Sequence, residues 1–158
     1  MAEDLNILKG TKEEQYKSLI PQIQALVQGE TNRIANMANV CAALKEQFHF
    51  FWVGFYIVEG DELVLGPFQG PVACTRIGLG RGVCGAAWEK EASIIVPDVE
   101  AFPGHIACSS LSKSEIVIPV WEGNTCIGIL DVDSDRLNDF DLVDLKNLED
   151  IVKIFNKS

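Results

Sequence analysis

The sequence contains no uncharged apolar run long enough to cross a bilayer. The most apolar of the long uncharged runs, Gln47 to Val58, falls well short of the ~20 residues a spanning helix needs, and its aromatic and β-branched content fits a core strand. Positive charge is scarce: 13 basic residues stand against 23 acidic ones, for a net charge of −10 and a pI near 4.6. That field repels phosphate backbones and anionic headgroups, so neither nucleic acid nor a membrane surface is an expected partner. The acidic start, Met1-Ala2-Glu3-Asp4, lacks the basic n-region and apolar core of a secretion signal, and a cytoplasmic location is expected. Histidine is limited to His49 and His105, and no Cys-x-x-Cys pair occurs among five cysteines, at positions 41, 74, 84, 108 and 126. Structural zinc is therefore not expected, and there is no recognisable cysteine-protease signature. An odd cysteine count with no export signal also argues against a structural disulfide framework, so a bridge here would be transient and catalytic. Internal repeats, low-complexity tracts and linkers are absent.

What is present fits one folded domain. The 158 residues are 47% apolar and 23% charged, enough to bury a single core. Thr11-Lys12-Glu13-Glu14 has capping-box spacing, and Leu19, Ile20, Ile23, Leu26 and Val27 recur at helical intervals through about Gln28, with Pro21 as a candidate bend. A second helix is predicted from near Thr31 to before His49, with Ile34, Ala38, Cys41 and Leu44 on one face. The period then changes. Phe51 to Val58, Leu63 to Phe68, Ser93 to Val96, Glu115 to Val120 and Thr125 to Val132 read as strands, and the short polar links 59–62 and 121–124 suit antiparallel hairpins. An antiparallel meander is the economical topology. Asp139 to Phe155 predicts a closing helix behind an acidic first turn. Between the second and last strands, the glycine-rich stretch from Gln69 to Ser114 is the kind of long excursion that carries function.

Cys74, Cys84 and Cys108 lie in that excursion, whereas Cys41 and Cys126 fall in a helix and a strand and read as small buried hydrophobes. Gly80-Arg81-Gly82-Val83-Cys84-Gly85 looks like a glycine turn entering a short helix, where the helix N-terminus and Arg81 would lower the thiol pKa. Cys108 follows His105 by three residues and precedes Ser109 and Ser110, neighbours that can offer an imidazole, hydroxyls and backbone N–H groups. Asp131 and Asp133, two apart, share a strand face, with Glu115 opening the preceding strand. Such a cluster either meets a cation or shares a proton; the alternative is a solvated strand end. Trp52 by itself reads as a core residue.

Taken together, about Thr31 to Phe155 resembles a GAF domain. The resemblance rests on Ile77-Gly78-Leu79-Gly80-Arg81-Gly82-Val83-Cys84-Gly85, Ile95-Val96-Pro97-Asp98-Val99, Ser114-Glu115-Ile116-Val117-Ile118-Pro119-Val120 and Ile127-Gly128-Ile129-Leu130-Asp131-Val132-Asp133-Ser134. It implies an α+β fold with a central antiparallel sheet, helices packed on it, and a pocket roofed by the excursion. The whole chain, 1–158, then forms one GAF-like domain, with residues 1–30 as a helical extension and 31–158 as the core. Within that superfamily the sequence is similar to the free methionine-(R)-sulfoxide reductases, whose three loop cysteines match Cys74, Cys84 and Cys108. Phe51-Trp52-Val53-Gly54-Phe55-Tyr56 and Gly66-Pro67-Phe68-Gln69-Gly70 extend the match.

That likeness implies an oxidoreductase acting on free L-methionine-(R)-sulfoxide, with Cys108 as nucleophile. Cys74 is the implied resolving residue, in a Cys74–Cys108 disulfide, and Cys84 the alternative partner or relay. Trp52, Glu115, Asp131 and Asp133 are the implied substrate-binding residues. No metal and no tightly bound cofactor are expected. Thioredoxin is the implied external reductant, and a homodimer is implied by analogy with GAF domains that pair through helices like the first two. The rival expectations are a non-catalytic small-ligand module, against which the missing Asn-Lys-x-Phe-Asp motif weighs, and a thiol redox sensor.

Overall fold

The computed structural model describes residues 4–106 and 108–156. Thr11 caps helix α1 (Lys12–Val27): its hydroxyl accepts from the Glu14 N–H, while the Glu14 carboxylate accepts from the Thr11 N–H. The helix continues through Pro21. Helix α2 (Arg33–Phe48) starts slightly later than predicted, because Asn32 supplies the cap by accepting from the Ala35 N–H, and His49 in the left-handed region ends it. Tyr16, Leu19 and Ile23 of α1 and Met37, Val40 and Leu44 of α2 enter one apolar core with Val53, Phe55, Ile116, Ile118, Leu130 and Val132 of the sheet.

Six strands form that sheet: β1 (Trp52–Glu59), β2 (Glu62–Gln69), β3 (Arg76–Gly78), β4 (Ile94–Val96), β5 (Ser114–Glu122) and β6 (Thr125–Ser134). Strand β3 lacks a sequence signal: among its three residues only Ile77 is buried, too short for alternation to register. The order is β3-β2-β1-β6-β5-β4, antiparallel at every pairing. A simple meander therefore holds only within each half. The two halves meet where β1 pairs with β6, which the long excursion permits by bringing the last strand back beside the first.

Alternation along the strands assigns two faces. Odd-numbered Val53 and Phe55 and even-numbered Leu130 and Val132 meet helices α1 and α2, whereas Trp52, Tyr56, Val117 and Ile129 form a second apolar cluster on the opposite face. Helix α3 (Gly82–Lys90) packs into that second cluster through Val83, Cys84 and Ala87. Helix α4 (Leu142–Val152) and a 3-10 turn (Lys153–Phe155) return to the first face. This last helix starts later than predicted because Asp139 is engaged with the strand ends. Its carboxylate accepts from the Ser134 hydroxyl at 2.5 Å and its N–H donates to Ser114 Oγ, leaving Asp141 as the cap. Among the described residues no helix is long and apolar enough to cross a membrane.

The β1–β6 seam needs Gly128. A Cβ there would stand 2.4 Å from the Tyr56 carbonyl oxygen, a backbone atom that cannot swing away. Gly128→Ala is expected to force the seam apart and destabilise the protein by about 1–3 kcal/mol, read as a lower urea midpoint at unchanged slope.

Candidate active site

Cross-strand register assembles the site. Trp52 lies opposite Asp133, and Asp133 opposite Glu115; one step along, Gly54 lies opposite Asp131, and Asp131 opposite Val117. These rows bring Trp52 and the three carboxylates to the face that carries α3. Gly54 leaves room for the indole, since a Cβ would meet Trp52 Cη2 at 2.5 Å and Phe68 Cβ at 2.4 Å. The ring instead stacks between Phe68 and Tyr56, at centroid distances of 5.3 and 6.0 Å. Two polar tips then anchor the chain beyond β2: Trp52 Nε1 donates to the Pro71 carbonyl at 3.0 Å, and Tyr56 donates its hydroxyl proton to the Cys74 carbonyl at 2.8 Å. Aromatic residues of β1 thereby position Cys74.

Helix α3 delivers the second cysteine. Gly85 lets the helix approach β3 and its turn, where a Cβ would meet the Gly78 carbonyl oxygen at 2.5 Å, and its own carbonyl accepts from the Gly80 N–H. Cys84, one residue earlier, points inward with its thiol 3.8 Å from Glu115 Oε2, to which it donates. Cys108 is exposed and is joined to half-buried Cys74 by a disulfide, with the two Cα atoms 5.6 Å apart. Both remaining cysteines are spent on packing. Burial pushes Cys41 up to about 12, and Cys126 lies in β6 with its thiol on the Gly128 carbonyl.

A partly open cavity of about 60 Å³ lies between these parts. Of the residues singled out in the sequence, Trp52, Cys84, Cys108, Glu115, Asp131 and Asp133 line it, and Cys74 reaches it through its bond to Cys108. Tyr56, Ser112 and Ile106 also line it without having been foreseen; the two-residue period of a strand puts Tyr56 on Trp52's face and was the available signal. Arg81 and His105 lie at the cavity as well, the imidazole held toward its neutral form by burial.

The electrostatics overturn one expectation. Cys84 sits in the first turn of α3 beside Arg81, yet its pKa is raised well above the ordinary thiol value, not lowered. Burial is the main cause, and the negative potential of Asp131 and Glu115 adds to it; Arg81 is exposed and does not offset this. Glu115, Asp131 and Asp133 are likewise raised well above the carboxylate range, each by burial first and then by repulsion from another member of the cluster. Burial and mutual repulsion disfavour full ionisation of such a cluster, and a member that holds a proton can donate a hydrogen bond into the cavity. Among the described residues, the donor atoms of Cys84, Glu115 and Asp131 converge closely enough to hold a metal ion.

The fold is an α+β domain with a pocket on one face of its antiparallel sheet, and the family model for the GAF domain matches residues 35–154. The chain is 67% identical over 157 residues to GAF domain-containing protein A of Dictyostelium discoideum, covering 99% of each. It is 45% identical to the free methionine-R-sulfoxide reductase of Escherichia coli over 92% of this chain and 89% of that one. The crystal structure of the Neisseria meningitidis free methionine-R-sulfoxide reductase in complex with its substrate superposes with a TM-score of 0.94 at 52% identity, covering 96% of this chain and 92% of that one. The protein belongs to the GAF domain family and, within it, to the free methionine-R-sulfoxide reductases; it is an oxidoreductase.

Raised carboxylate pKa values also bear on stability. In the unfolded chain these groups titrate near pH 4, so between that pH and the raised folded values the native state binds more protons, and stability falls as pH rises. Asp131→Asn removes one such group. Urea unfolding from pH 4.5 to 8 is expected to show the variant losing less stability than the parent across the range and exceeding it at pH 8; parallel curves would contradict the assignment.

Proposed function

We propose that the protein reduces free L-methionine-(R)-sulfoxide to L-methionine at this cavity. The observation that carries the reading is the convergence of an accessible Cys74–Cys108 pair with a buried carboxylate cluster, its ionisation disfavoured, on one small pocket. The homologues and structural relatives named as reductases of this substrate support it.

In the proposed cycle the Cys108 thiolate attacks the sulfoxide sulfur while a neutral acid of the Glu115, Asp131 and Asp133 cluster protonates the oxygen. The sulfur–oxygen bond breaks, methionine leaves, and the oxygen stays on Cys108 as a sulfenic acid. Cys74 then attacks that sulfur, water departs, and the Cys74–Cys108 disulfide forms, the state held in this structure. Thioredoxin, as dithiol, returns both cysteines to thiols by exchange at the accessible bridge, and the cytoplasm is the compartment that supplies it. No tightly bound cofactor enters the cycle. Trp52 packs against the S-methyl group, and the carboxylate cluster pairs with the ammonium of the free amino acid. An internal peptide residue has no such ammonium, which accounts for selection of the free form. Cys84, buried with a raised pKa, suits a relay better than a primary nucleophile.

Coupled NADPH oxidation with thioredoxin and thioredoxin reductase tests this. Turnover is expected with the free R epimer and not with the S epimer or a blocked peptide sulfoxide. Cys108→Ser should abolish it, whereas retained turnover would move the nucleophile to another cysteine. Glu115→Gln should lower kcat by roughly 10²-fold or more if Glu115 is the proton donor. Trp52→Ala should raise KM by up to about tenfold, the scale of a sulfur–aromatic contact.

A further inference from the structure

The cavity floor holds a second chemistry. Cys84 Sγ and one oxygen each from Glu115 and Asp131 lie within 4.8 Å of one another, and all three residues are buried. The Cys84 Sγ to Glu115 Oε2 distance is 3.8 Å. In a tetrahedral zinc site, bonds of about 2.3 Å to sulfur and 2.1 Å to oxygen place those two ligands about 3.6 Å apart. The pair thus already stands at ligand spacing. Independently, Asp131 is 6% exposed and its Oδ1 is buried with no hydrogen-bond partner, so either a proton shared with a neighbouring acid or a bound cation has to satisfy it. Among the described residues no basic side chain forms an ion pair with Glu115, Asp131 or Asp133.

We propose that Cys84, Glu115 and Asp131 bind one divalent cation of borderline softness, zinc being the type, and that the cation and substrate exclude one another. One thiolate with two carboxylates selects such a metal over magnesium or calcium, which take oxygen alone. Asp133 or water fills the fourth position. On binding, the Cys84 S–H proton and the protons held by the two carboxylates pass to solvent, and one metal–sulfur and two metal–oxygen bonds replace them; no atom changes oxidation state. The cavity these residues line also has Val72, 88% exposed, and exposed Cys108 in its wall. Linear spacing hides this site, since its ligands come from α3, β5 and β6. Exclusion of substrate rests on the reductase reading, because the cation takes the place assigned to the ammonium. Coordination does not depend on it.

The test titrates cadmium into the full-length bridged protein, in which Cys74 and Cys108 carry no thiol, and follows the sulfur-to-cadmium charge-transfer absorption, with zinc as competitor. One equivalent per chain is expected. The band should vanish in Cys84→Ala, affinity should fall about tenfold or more in Asp131→Asn, and Cys41→Ser and Cys126→Ser should leave both unchanged. Circular dichroism establishes that each variant is folded. Should a site variant fail to fold, zinc protection of Cys84 from alkylation in the parent protein, read by mass spectrometry, supplies the same answer. No saturable binding, or a band that survives Cys84→Ala, overturns the site. In the coupled assay zinc should raise the apparent KM for the sulfoxide after allowance for its effect on thioredoxin alone; an unaltered KM with cadmium binding intact overturns the exclusion. Absence of all turnover alongside intact cadmium binding would instead count against the reductase reading.

Discussion

Three carboxyl groups and a thiol share a buried floor, and among the described residues no basic side chain forms an ion pair with them. Removing even one carboxylate from water costs several kcal/mol unless it is paired or neutral, so Glu115, Asp131 and Asp133 impose a condition that the rest of the domain must satisfy. The β1–β6–β5 register puts them in adjacent rows, the excursion covers them, and the raised pKa values follow from burial and proximity. What settles there has to be a proton or another positive group. An arrangement that disfavours the charged state at rest is suited to ligands that bring positive charge and to reactions that consume a proton.

Most of the framework was legible because it rests on local rules. Thr11 with Glu14, the aromatic and β-branched content of Phe51 to Val58 and the spacing of Leu145, Leu148, Ile151 and Val152 each encode one element within a few residues. The β1–β6 seam was not legible. No local signal distinguishes a strand that pairs with its neighbour from one that returns across the sheet, and the close contact at Gly128 becomes meaningful only once the partner strand is known. Strand β3 was missed for the opposite reason, being shorter than one period of the pattern used to find strands.

The residues of the pocket were recognisable by type and place, but their electrostatic state was not. Asp131 and Asp133 are two apart in sequence, so a common face could be read directly. Glu115 joins them only through β5–β6 pairing. For Cys84, local reasoning from a helix N-terminus and Arg81 had the wrong sign, because the helix packs its first turn onto acids contributed by other strands. Tyr56 shows the same limit: its role, holding the Cys74 carbonyl, links β1 to a segment 18 residues away.

The Cys74–Cys108 bridge spans 34 residues and includes β3, α3 and β4 within its loop. A crosslink of that span reduces the freedom of the unfolded chain by the equivalent of roughly 3–4 kcal/mol in the chain-entropy account. If the bridge forms and opens once per turnover, the roof of the pocket alternates between a stapled and an unstapled polymer. Under the proposed cycle, oxidation would change mechanics as well as chemistry: local opening of the roof gains less chain freedom while the bridge is closed than after a reductant has opened it.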